Sequence, residues 1–174
     1  MPLLQRLFRG KPDPREAVRP LWHRVVEVSR EPEWYATCGV ADTVAGRFDM
    51  ITAVLSLVLL RLERDRDGGP QTALLTELFV EDMDGQLREF GVGDIVVGKH
   101  IGRMMAMLGG RLTAYRDGLA GGAEAMDAAL VRNLYRGEAP TDRQAVPHVR
   151  EALRTLHGRL ADVPLARLTL GELP

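Results

Sequence analysis

A single cysteine, Cys38, in 174 residues excludes an intrachain disulfide and any cysteine-based metal cluster, and fits a chain working in a reducing compartment. An excess of charge of one sign is also missing. Lys and Arg number 23 against 24 Asp and Glu, a formal net charge of −1, so no overall basic field attracts a nucleic-acid backbone. Direct nucleic-acid recognition is therefore not expected. Long apolar runs are absent too. The longest, Met50 to Leu60, is far short of the ~20 residues that span a bilayer, and Asp49 and Arg47 precede it. It reads as a helix buried in protein rather than in lipid. The opening MPLLQRLFRGKP has no charge ahead of its apolar residues and meets Arg6 early, unlike a secretory signal. No segment alternates as a strand does, and no internal repeat is visible.

What is present is helical periodicity, in a chain 45% hydrophobic and 27% charged that suits one globular core. Helices are expected over about residues 20–30, 43–64, 70–90, 94–119, 123–136 and 141–160. Gly39, the break DRDGGP, Gly91, the string AGG and Gly137 separate them. Short connections predict an all-α fold, a single compact domain of about six helices in an antiparallel, bundle-like arrangement over residues 20–174. Residues 1–19 read as an N-terminal tail. There Leu3, Leu4, Leu7 and Phe8 alternate with Arg6, Arg9 and Lys11, which fits a disordered segment or a weak membrane-surface contact.

One string tempts a nucleotide reading. In GVGDIVVGKH, Gly93, Gly98 and Lys99 match the spacing G-x-x-x-x-G-K of phosphate-cradling loops. The segment leading in is amphipathic helix rather than strand, Asp94 would repel phosphate, and His100 replaces the magnesium-binding hydroxyl. Helix stop, turn and helix start is the better account.

The helical faces supply further expectations. On the third long helix Asp82 projects between Leu78 and Phe79, within an apolar stripe, where a carboxylate needs a partner. Arg47, at the margin of the second helix's stripe, is the expected partner in an interhelical structural pair. The acids Glu81, Asp82, Asp84 and Glu89 scatter around their helix, and the four histidines are dispersed, so no metal or cofactor site is expected. Gly98, Gly102, Ala106 and Gly109 form a seam along the fourth helix. Each interior glycine costs about 1 kcal/mol against alanine, which predicts close approach of another backbone, from this domain or from a client. Met104 and Met105 project with the core stripe; Met107 projects away from it.

The strings SREPEWYATCGVADTVAGRFDMI and VEDMDGQLREFGVGDIVVGKHIGRM, with GRLTAYRDGL and ALVRNLYRG later, resemble the ubiquinol–cytochrome c chaperone family. The resemblance covers roughly Leu21 to Gly137. It implies an assembly factor, not an enzyme, that binds newly made cytochrome b and supports assembly of ubiquinol–cytochrome c reductase, respiratory complex III. Mitochondrial relatives act near the ribosomal exit with a small partner protein. No mitochondrial-type extension is recognised here, so the chain resembles a bacterial member, cytoplasmic or peripheral to the cytoplasmic face of the inner membrane. Nothing in the residues calls for ATP. Among the motif residues Arg47, Asp49, Asp82, Asp84, Arg88, Asp94 and Lys99, the expected client contacts are Asp84, Arg88, Asp94 and Lys99, joined by Met107. The residues alone leave open a helical scaffold or regulatory domain with another protein partner, and a carboxylate-based metalloenzyme using Asp82.

Overall fold

The computed structural model describes residues 13–89 and 97–173, with the side chains of all of these except 86–89 and 97–100. Every regular element among them is helical. A 3-10 turn, Pro14–Ala17, precedes α1 (Arg19–Ser29), α2 (Pro32–Ala36), α3 (Val44–Leu62) and α4 (Gly69–Glu89). Then follow α5 (Val97–Gly121), α6 (Ala123–Asn133), α7 (Ala145–Ala161) and α8 (Leu165–Thr169). Six of these are long, as the periodicity predicts. The short α2 and α8 are additions, each of five residues with one buried side chain, Trp34 and Leu168, too little to leave a periodic pattern.

The organising element is α3. Thr43 caps it by accepting a hydrogen bond from the Gly46 N–H at 3.1 Å. The chain entering α3 runs so close that a β-carbon on Gly46 would lie 2.0 Å from the Ala41 carbonyl oxygen, so only glycine fits there. From Asp49 to Leu62 every residue is buried. That requires neighbours on all sides, and α1, α4, α5 and α7 each pack against it. Full burial of one leucine stabilises by about 1.5–3 kcal/mol. Truncating Leu55, which is completely buried, removes that term and leaves a cavity.

Two arginines tie the ends down. Arg61 is buried, donates to the carbonyls of Leu160 at 2.9 Å and Val163 at 2.8 Å, and pairs with Asp65 at 2.6 Å. It thereby serves the orphan carbonyls at the end of α7. Arg15 bridges Asp13 at 2.7 Å and Glu81 of α4 at 3.1 Å. Val18 is fully buried in the core, so the folded unit begins ahead of Pro20. The amphipathic string of residues 1–12 lies outside the described residues. Among the described residues, no helix is long and apolar enough to cross a membrane.

Candidate functional site

The polar centre of the protein is a buried carboxylate. Asp49 on α3 has no exposed surface, and each of its oxygens accepts from a different arginine. Arg111 of α5 reaches Oδ1 at 2.5 Å, and Arg136, beyond α6, reaches Oδ2 at 2.6 Å. Arg111 also donates to the Thr52 hydroxyl and lies 5.3 Å above the Phe48 ring. The carboxylate can stay charged in so dry a place because each of its oxygens is closely paired with a guanidinium. Next to this cluster Tyr115 is completely buried, and burial pushes its phenol far above the usual range. The residues come from three of the strings that carry the family resemblance: Asp49 from GRFDMI, Arg111 from GRLTAYRDGL and Arg136 from NLYRG. The cluster locks α5 and the end of α6 onto α3. Sequence reasoning named Asp49 but not its partners, which are 62 and 87 residues away.

The expected Arg47–Asp82 pair is not formed. Arg47, half exposed at the start of α3, pairs with Asp42 at 2.7 Å and lies 5.6 Å from the centre of the Tyr35 ring. A partner five residues back in the entering loop needs no long-range closure, and it wins. Asp82 is half-buried instead, on the wall of an open groove between α1 and α4 that also includes Trp22, Val26 and Leu78. Partial solvation removes the need for a counter-ion there.

The glycine seam is real as a pattern and open as a surface. No described atom comes within 4 Å of where a β-carbon would sit on Gly102 or Gly109. Among the described residues, the close approach expected from another helix of this domain therefore does not occur at those two positions. The tight glycines of α5 are near its end: a β-carbon on Gly118 would lie 3.0 Å from both Cα and Sδ of Met126 on α6, and one on Gly121 would lie 2.7 Å from the Ala125 β-carbon. Gly98 is in the first turn of α5, and its packing lies outside the description. Along the middle of α5, Met104 and Leu108 face the core, whereas Gly102, Arg103, Met105, Ala106, Met107, Gly109 and Gly110 are exposed. Met107 is 43% exposed, as its projection predicts, and Met105 is 42% exposed, against expectation. The buried line runs through Met104, Leu108 and Tyr115, and Met105 turns about 80° from its centre. The result is a smooth track of small residues edged by two methionines.

Of the remaining candidates, Asp84 is half-buried on α4. The side chains of Arg88 and Lys99, and the whole of Asp94, lie outside the description. The helix α4, not a strand, leads toward the G-x-x-x-x-G-K string, and its Gly98 and Lys99 belong to the first turn of α5. Among the described residues, no group of three or more His, Cys, Asp or Glu side chains is placed to hold a metal ion.

Comparison with known proteins gives two matches. The family described as "Ubiquinol-cytochrome C chaperone" matches residues 36–173, a span that includes α7 and α8 and so extends past the strings quoted above. The fold superposes on the crystal structure of the Cbp3 homolog from Brucella abortus with a TM-score of 0.81. That similarity carries 28% sequence identity over 98% of this chain and 95% of that one. Among curated proteins no sequence matches.

Proposed function

We propose that this chain, which belongs to the ubiquinol–cytochrome c chaperone family, holds newly made cytochrome b by reversible binding of an apolar client helix along the open face of α5, without ATP. Membership of the family supplies the role in complex III assembly; the client, the surface and the energy source are our reading. One observation carries it. On its outer side the twenty-five-residue α5 presents a track of Gly102, Ala106 and Gly109, with no neighbouring described atom within 4 Å of where a β-carbon would sit on either glycine, bordered by Met105 and Met107.

The chemistry suits a membrane-protein client. Small residues let a second helix backbone come close, and dispersion gains grow with each pair of atoms brought together. Thioether side chains adapt their shape to apolar surfaces of varied outline. Such contacts release without covalent change, so handing on the client needs only a better-packed destination. Asp84, Arg88, Asp94 and Lys99, which lie in or between α4 and α5 in the sequence, are proposed as polar contacts with the client.

The test is complementation of a strain lacking the chain, read as reduced-minus-oxidised spectra of its membranes. Wild-type chain should restore the b-type and complex III signals. Gly102→Leu, which fills the track and whose β-carbon meets no described neighbour, should restore them poorly while melting no lower than wild type. Full restoration by Gly102→Leu and by Met107→Glu would remove the α5 face from the account.

A further inference from the structure

The last turns of α3 and α5 and the second half of α7 enclose a cleft of about 500 Å³, separate from the α5 track. Three arginines line it, Arg64, Arg116 and Arg154, with one carboxylate, Glu63. Elsewhere Arg15, Arg61, Arg111, Arg136 and Arg150 each end on an acid within 3.1 Å. Here only Arg116 does, with Glu63 at 2.6 Å.

The other two guanidiniums are underused. Arg64 places one nitrogen 2.9 Å from Nε2 of His157, and Arg154 reaches the Leu119 carbonyl at a long 3.5 Å. Each guanidinium carries five N–H donors, so most of theirs are unspent among the described residues. The attraction of cations to helix C-termini accounts for only part of the arrangement: Arg154 reaches a carbonyl in the last turn of α5, whereas Arg64 reaches none among the described residues. The histidine is an independent witness to the field. An Arg64 N–H directed at Nε2 leaves the ring proton on Nδ1, which is buried without a partner among the described residues. Burial first, and then the charges of Arg64 and Arg154, push the imidazole pKa below its usual range. The neighbourhood therefore carries uncompensated positive charge, in a chain whose net charge is −1.

We propose that this cleft is a binding site for a phosphate group, held by Arg64 and Arg154 with Arg116 at its edge. Two forks from different elements, Arg64 in the turn after α3 and Arg154 on α7, suit a tetrahedral oxyanion, which offers oxygens in more than one plane; a single carboxylate is satisfied by one fork. The Leu60 and Leu119 side chains give the cleft an apolar lining, which strengthens each contact. The phosphate can belong to a small molecule or to a lipid headgroup, and both present the same chemistry to the site. The assignment is independent of the client surface.

The experiment follows the His157 ring protons of the full chain by NMR during titration with inorganic phosphate, against sodium chloride of equal ionic strength. The resonance is assigned by its loss in His157→Gln. Phosphate should shift it saturably, and chloride should not. Arg64→Gln and Arg154→Gln should each weaken binding about tenfold. Glu63→Gln, which removes the competing carboxylate, should tighten it. Flotation with vesicles of phosphatidylglycerol, compared with phosphatidylcholine, then separates the sources. Co-flotation with the anionic lipid that is lost in Arg154→Gln identifies a headgroup site; phosphate binding without flotation identifies a small-molecule site. A phosphate shift equal to that of chloride, or one unchanged in both arginine variants and in Glu63→Gln, overturns the proposal.

Discussion

Asp49 and Arg111 meet 2.5 Å apart in the interior, one from α3 and the other from α5, and this pair fixes the helix that carries the open face. Arg111 is 11% exposed and Asp49 not at all. Removing the acid would strand a buried cation beside its own hydrogen-bond partner, Thr52. Asp49→Ala should therefore cost about 3–5 kcal/mol in urea denaturation. A loss below about 1 kcal/mol would show that water already compensates the pair.

Arg136 holds the same carboxylate from a strained backbone. Its φ of +56° lies in the left-handed region, and its side chain is 59% exposed. Alanine would lose the ion pair and keep the strain, whereas glycine would lose the pair and relieve it. Arg136→Gly should be the more stable of the two by about 1 kcal/mol. Equal stabilities would mean that the conformation carries no measurable cost.

Much of the fold was legible because six helices are long enough for a 3.6-residue period to repeat. Burial of α3 in protein, its glycine and proline boundaries and the all-α class followed from local pattern alone. The ionic partners were not legible for the same reason. Arg47 and Asp82 were matched by facing stripes, yet an arginine's long stem satisfies itself on whichever acid is nearest, and Asp42 is five residues away. The mates of Asp49 come from strings whose meeting depends on the packing of α5 and α6 against α3. Helical projection also misjudged Met105, because it centres a stripe on the most apolar residues rather than on the neighbouring helix. The chaperone strings, by contrast, were readable without any geometry, and the family match extends them to the C-terminal helices.

The two kinds of glycine on α5 should separate in stability measurements. Gly118→Ala pushes a β-carbon to 3.0 Å from Met126 and should destabilise by about 1–3 kcal/mol. Gly102→Ala meets nothing and should stabilise by about 0.5–1 kcal/mol through helix propensity. Losses of similar size at both positions would mean that the track is closed in solution.

His157 sets a pH dependence whose sign is fixed by its environment. Its folded pKa is depressed, by burial first and then by Arg64 and Arg154, below an ordinary value of 6.5. The unfolded chain thus binds the proton more readily. The stabilisation is complete above that value and is lost as pH falls through the folded pKa. Between about pH 7.5 and about pH 5.5 the melting temperature should fall more in wild type than in His157→Gln. Parallel curves for the two proteins would contradict the depressed pKa.

The central claim is that the open face of α5 touches the client, and site-specific photocrosslinking in translating cells tests it most directly. A photoreactive residue at Met107 should form an adduct with newly made cytochrome b, while the same residue at exposed Arg143 should not. Adducts from Arg143 and none from Met107, in cells that assemble complex III normally, would contradict it.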